Sequence, residues 1–245
     1  MTILVPGISM PRPKSIIALG DAAVLVEFSD TLDLTINDWI QRLTNALRAR
    51  EVPWIRDIVP ALASLAIHFD PDLVDALEAG PLIRQLIDAC LDATLPPAAD
   101  LQRTIEVPVC YEPSFALDLA DVCERVQLPP DAVIVRHAAS DFRVLMVGFA
   151  PGHPYLGGLD AGLAVPRRAT PRPRMPRGAV AIANAQCVVY PYEIPGGWSV
   201  IGRTPLRVFD AAREAPSLFA PADKVRFVPI DRPQYDVIAA REGTT

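Results

Sequence analysis

Lysine is almost absent from this chain: Lys14 and Lys224 stand against 21 arginines in 245 residues. Acidic residues outnumber basic ones 29 to 23, for a formal net charge of −6. The dominant positive field that nucleic acids and anionic membranes require is therefore missing, and neither is expected as a partner. The arginine skew fits the coding bias of a GC-rich genome and by itself implies no function. Cysteine and histidine are scarce too. The four cysteines, Cys90, Cys110, Cys123 and Cys187, form no C-x-x-C pair, and His68, His137 and His153 are too scattered to complete a zinc pattern. Reduced, mostly buried thiols and no metal are expected. No apolar run approaches the roughly 18 residues that span a bilayer, and Met1–Met10 has no basic residues ahead of its apolar part. A cytoplasmic protein without a secretory leader is the expectation.

Familiar catalytic signatures are missing as well. Neither lysine follows a glycine loop, so there is no G-x-x-x-x-G-K-[ST] phosphate cradle. Gly197-Trp198-Ser199-Val200-Ile201 lacks the closing glycine of a nucleophile elbow, which leaves Ser199 an ordinary strand serine.

What is present favours a folded protein: 51% of residues are hydrophobic and 21% charged. The length suits one large domain or two modest ones. Ile16–Leu19 and Val24–Phe28 flank Gly20-Asp21 as a hairpin, and Leu34 to Leu47 repeats at helical spacing with Asp33 or Thr35 to cap it. Strands are expected at Ile55–Val59 and Leu62–Phe69, then a helix from Asp70 to Ala93 broken or kinked at Gly80-Pro81. Ala93–Asp100, with Pro96-Pro97, reads as a linker. The expected domains are 1–95 and 96–245. In the second, Thr104–Val109 alternates as a strand, and Leu117–Val126 and Pro130–Ala139 read as short helices. Strand-like runs follow at Phe142–Phe149, Ala179–Tyr190, Trp198–Ile201, Leu206–Phe209 and Lys224–Ile230, as in a barrel or sandwich.

Chemistry concentrates between Gly148 and Thr204. The loop Gly148-Phe149-Ala150-Pro151-Gly152-His153-Pro154-Tyr155 is a tightly turned backbone able to hold a ligand against main-chain N–H groups, or simply to close a barrel. Arg167, Arg168, Arg172, Arg174 and Arg177 alternate with prolines, presenting guanidiniums on a semi-rigid strip suited to a carboxylate or phosphate, or a solvated face. Tyr190-Pro191-Tyr192-Glu193-Ile194-Pro195-Gly196-Gly197-Trp198 joins a glycine turn to a large flat ring. His153 is a candidate acid or base near neutral pH.

Together GFAPGHPYLGGLD, PRRATPRPRMPRGAVAIANAQ and YPYEIPGGWSVIGRTP resemble the signature run of the family that holds the B subunits of 5-oxoprolinase, allophanate hydrolase subunit 1 domains and Kip-type kinase inhibitors. The resemblance implies an α+β protein: an N-terminal α/β sandwich-like domain followed by a C-terminal cyclophilin-like β-barrel. It also implies a larger homologous carboxyltransferase-like partner, of the kind that forms the C subunit of 5-oxoprolinase or allophanate hydrolase subunit 2. A lactam-utilisation protein would complete ATP-driven opening of 5-oxoproline to glutamate, with the ATP site on the partner or shared with it. Inhibition of a sensor histidine kinase and an allophanate hydrolase or urea carboxylase-type role are the alternatives. The expected substrate- or phosphate-binding set is Phe149, Pro151, Gly152, His153, Tyr155, Arg172, Arg174, Gln186, Gly196, Gly197, Trp198 and Arg203, with Arg172 and Arg174 as the anion-binding pair. Three positions depart from the family pattern: His153 for phenylalanine, Glu112-Pro113 for Gly-Gly, and Cys187 for threonine.

Overall fold

The structure is a computed structural model that describes residues 11–91 and 103–244. The chain divides into two compact units, Met1–Leu101 and Gln102–Thr245. The expectations for Met1–Met10, for the linker beyond residue 91 and for a boundary after residue 95 lie outside the described residues. Among those described, no helix is long and apolar enough to cross a membrane.

In the first unit β1 (Ser15–Ala18) and β2 (Ala23–Glu27) pair antiparallel, with Ile16 opposite Val26. The turn between them contains Gly20 at φ +72°, a conformation that glycine adopts without strain. α1 (Leu34–Arg48) starts where the Asp33 carboxylate accepts from the Thr35 and Ile36 amides, at 2.7 and 3.3 Å. β3 (Ile55–Pro60) and β4 (Ser64–Phe69) complete a four-stranded antiparallel sheet in the order β1-β2-β4-β3. α1 and α2 (Ala76–Leu91) pack on it and on each other, burying Ile40, Leu43, Ile83 and Ile87 against Val26, Leu65 and Ile67. The helix expected from Asp70 with a break at Gly80-Pro81 is instead continuous from Ala76. Pro81 deprives the Leu77 carbonyl of its helical partner, but Leu77 is 88% exposed, where water can replace the bond.

The second unit is a closed seven-stranded barrel, so the α+β class expected from the sequence is observed. Its strands are β5 (Thr104–Cys110), β6 (Phe142–Val147), β7 (Pro154–Gly157), β9 (Ala179–Ala183), β10 (Gln186–Val189), β12 (Ser199–Arg203) and β13 (Lys224–Ile230). They close in the order β10-β7-β6-β13-β5-β12-β9. Only β5 and β13 run parallel. α3 (Leu119–Val126) and α4 (Pro130–Ala139) add fully buried Val122 and Val133 to the core of Val107, Phe142, Val144, Leu156, Ile182 and Phe227.

A two-stranded ribbon of β8 (Arg172–Met175) and β11 (Ile194–Gly196) accompanies the barrel. A second apolar cluster joins Met175 of this ribbon to Ala179, Ala181, Ala183, Tyr190, Trp198 and Val200. β9 is thus buried on both faces: Val180 and Ile182 enter the barrel core, while its alanines leave room for Tyr190 and Trp198 on the other side. Two-sided burial accounts for its unbroken apolar run.

The single run expected over Ala179–Tyr190 is a hairpin, turned at Asn184 with φ +52°. Leu206–Phe209 makes no strand; Phe209 forms an isolated bridge to Ser217. α5 (Arg232–Glu242) was not foreseen, although Asp231 and Gln234 form a reciprocal capping box and Gly243 ends the helix at φ +61°.

Two of the departures from the family pattern find structural roles in this unit. Cys187 lies 3.5 Å from His137 Nε2, and the Tyr111 hydroxyl lies 2.8 Å from His137 Nδ1, all buried. If Tyr111 donates to Nδ1, Nε2–H to sulfur and S–H to the Val188 carbonyl, every proton has an acceptor. Burial pushes the thiol upward and the imidazole down to about 3, so this is a neutral hydrogen-bond chain and not a nucleophile. Glu112 accepts from the Arg232 amide at the start of α5 at 3.3 Å.

Candidate functional site

The turn between β6 and β7 is closed by Gly148 N–H donating to the His153 carbonyl and His153 N–H donating to the Ala150 carbonyl, both at 3.0 Å. Gly152, at φ +76°, has no room for a side chain: a Cβ there would sit 2.7 Å from that of Phe209. Phe149 occupies φ +71° although it is not glycine, and its side chain is 68% exposed. A bulky residue in the left-handed region is strained by about 1–2 kcal/mol.

Behind this turn lies a cavity of about 280 Å³, lined by Phe149, His153, Tyr155, Arg167, Pro171, Tyr190, Pro195, Gly196, Gly197 and Trp198. That is just below the usual range for ligand pockets and suits only a small metabolite. The His153 ring is boxed by Phe149, Tyr155 and Tyr190 at centroid distances of 5.5, 5.1 and 5.0 Å. It is 2% exposed, and neither ring nitrogen has a hydrogen-bond partner. Burial lowers its pKa to about 4, so it is neutral at pH 7 and does not titrate near neutrality as the sequence suggested. Gly196 permits the close wall: a Cβ at that position would lie 2.2 Å from the Tyr190 hydroxyl. Burial pushes that phenol up to about 12, keeping it protonated.

The arginine strip divides into separate roles. Asp118, 2% exposed, accepts two hydrogen bonds from Arg172, at 2.6 and 2.7 Å, one from Arg168 at 2.5 Å and one from the Val200 amide at 2.8 Å. Arg172 is therefore held by an internal carboxylate, contrary to the expectation that it faces a ligand. Arg174 pairs with Glu193 at 3.2 Å on the surface, 80% exposed, and lines no part of the cleft. Arg167 is the arginine that does line it, its guanidinium 5.6 Å from the centroid of the Trp198 ring. Among the described residues no carboxylate pairs with it.

Of the expected set, Phe149, His153, Tyr155, Gly196, Gly197 and Trp198 meet at the cleft. Gly152 shapes the turn beneath it, and Pro151 is exposed on the same turn. Gln186 sits in β10 and Arg203 in β12, where Arg203 donates to the Arg177 carbonyl at 2.8 Å; neither lines the cleft. Sequence reasoning missed Tyr190, Pro171 and Pro195 as wall residues, did not single out Arg167 among its neighbours, and missed Asp118 altogether. Asp118 falls inside the helix expected over Leu117–Val126, whereas α3 begins at Leu119 and the Asp118 side chain makes no cap hydrogen bond to it.

The model of the carboxyltransferase domain, subdomain C and D, matches residues 14–219. The B subunit of 5-oxoprolinase from Bacillus subtilis is 34% identical over 223 residues, 89% of this chain and 93% of that protein. The protein of the same name from Escherichia coli O157:H7 is 36% identical over 86% of this chain and 94% of its own. The crystal structure of TTHA0988 superposes with a TM-score of 0.73 at 34% identity, covering 86% of this chain; the chain spans 40% of that protein's length. Kluyveromyces lactis urea amidolyase shares the fold, with a TM-score of 0.72 at 21% identity over 98% of this chain and 16% of its own. The length of the family match and the identity to two proteins covered almost end to end lead to one assignment: the chain belongs to the carboxyltransferase domain, subdomain C and D, family.

Proposed function

We propose that this chain is one subunit of an ATP-dependent 5-oxoprolinase, which opens 5-oxo-L-proline to glutamate together with a larger homologous barrel subunit and a lactam-utilisation protein. The observation that carries the proposal is the aromatic cleft with Arg167 at one wall, a guanidinium that no carboxylate among the described residues pairs with. The names of the relatives covered almost end to end support it. Five-oxoproline is small, has a planar amide and carries one carboxylate. Tyr155, Tyr190 and Trp198 match the flat ring, and Arg167 matches the carboxylate.

ATP belongs on the partner proteins in this reading. One unpaired guanidinium against aromatic walls is too little positive charge for a triphosphate and its metal. The task of this subunit is to orient the lactam so that the carbonyl meets the activating group, and Arg167 would also oppose negative charge developing nearby. We assign no nucleophile to this chain. The test is ATP hydrolysis stimulated by 5-oxoproline, using this protein with the larger subunit and the lactam-utilisation protein, each omitted in turn. The expected result is turnover only when all three are present. An assembled complex that hydrolyses no ATP on addition of 5-oxoproline would refute the assignment and leave the allophanate hydrolase and kinase-inhibitor readings.

A further inference from the structure

His153 breaks the rule that buried polar atoms find partners, and it does so inside the cleft. Three aromatic rings surround it, so an apolar ring would satisfy the same box without two unmet nitrogens. The imidazole is not needed to hold the turn either, because the hydrogen bonds that close it use the backbone of His153. Local rules broken without local gain mark functional positions.

A neutral imidazole offers one N–H donor and one lone-pair acceptor. Burial keeps this one neutral at pH 7. An amide can answer either one: its carbonyl accepts from the imidazole N–H, or its N–H donates to the lone pair, and because the two ring nitrogens point apart a single amide takes one of them. The flat walls of Tyr190 and Trp198 select a planar ligand. Phe149 provides the way in: it lies edge-on to His153, is 68% exposed and holds a strained backbone, so its displacement uncovers the imidazole.

We propose that His153 is the group with which this cleft reads a planar secondary amide, such as a lactam ring. The proposal rests on reading the cleft as the substrate site and specifies what part of the ligand is recognised. It makes His153 a specificity-determining residue, not a proton carrier.

The experiment is an NMR titration of the full chain, wild type and His153→Phe, with 2-pyrrolidinone, following ¹⁵N-labelled histidine. Cyclopentanecarboxylate, a ring of similar size without an amide, serves as the control. In the wild type the His153 side-chain nitrogens should shift on adding 2-pyrrolidinone. The substitution should weaken that ligand roughly five- to tenfold while changing the control less than about twofold. Equal affinity of the two proteins for 2-pyrrolidinone, His153 nitrogens that stay still at saturation, or no binding by the wild type would each overturn the inference. Turnover does not enter this readout. Amide recognition could therefore stand if the assembled complex fails to use 5-oxoproline, and it could fail while that activity stands.

Discussion

Replacing Asp118 with alanine is expected to destabilise the barrel unit by about 3 kcal/mol, lowering its Tm by roughly 6–12 °C. The carboxylate is 2% exposed and accepts four hydrogen bonds, three of them from guanidiniums. Its removal leaves the Val200 amide unpaired and strands two partly buried cations, with side chains 30% and 25% exposed for Arg168 and Arg172. Breaking a buried pair by deleting one partner is far more damaging than losing a surface pair. Arg172→Ala should therefore lower stability by about 2–3 kcal/mol, against under about 0.5 kcal/mol for Arg174→Ala. Urea unfolding of the three variants checks the order. Equal effects at Arg172 and Arg174 would show that the Asp118 pairing is not what holds β8 in place. Because Pro171 and Arg167 closely precede β8, the same pairing also sets one wall of the cleft.

Acid should weaken this protein through two histidines. Folded, His137 and His153 have pKa values of about 3 and about 4, both lowered by burial from 6.5. Unfolded, each takes up a proton near pH 6.5. Between that pH and about 4 the unfolded chain holds up to two more protons than the native one, so these histidines lower stability as pH falls, and their effect fades above about pH 7. The slope steepens toward about 2.7 kcal/mol per pH unit below the unfolded pKa and integrates to roughly 3 kcal/mol between pH 6.5 and 5. His153→Phe should halve the slope, because His137 alone remains. It should also raise stability at pH 7 by about 1–3 kcal/mol, since no polar atom is left unmet in the aromatic box. Urea midpoints at pH 7 and 5 read both effects, and an unchanged slope in the variant would contradict the burial of a neutral His153.

The elements that could be read from the sequence were those whose own pattern fixes them. The hairpin at Gly20, the Asp33-capped α1 and the proline-started α4 each announce themselves through one turn residue, one cap or one ring. β8 and β11 did not, because RPRM and IPG have no strand periodicity and become strands by pairing with each other. The continuity of α2 through Pro81 depends on an exposed Leu77 carbonyl, which only tertiary placement reveals.

At the site, the motifs located the right region, and six of their expected residues line one cleft. Which arginine faces it was not legible. Five guanidiniums at similar spacing look alike until a carboxylate far away in sequence, Asp118, takes two of them. His153 was visible as an anomaly, but its protonation was misjudged because burial by three rings is not encoded in the loop that carries it.

The central claim is that this cleft holds the substrate's carboxylate through Arg167. The direct test is 5-oxoproline-dependent ATP hydrolysis by the assembled complex carrying Arg167→Gln, compared with Arg174→Gln. The account predicts a fall in kcat/KM of about 10- to 100-fold for Arg167→Gln, from loss of a charged hydrogen bond, and less than about twofold for Arg174→Gln. An Arg167→Gln complex that turns over 5-oxoproline like the wild type would contradict it.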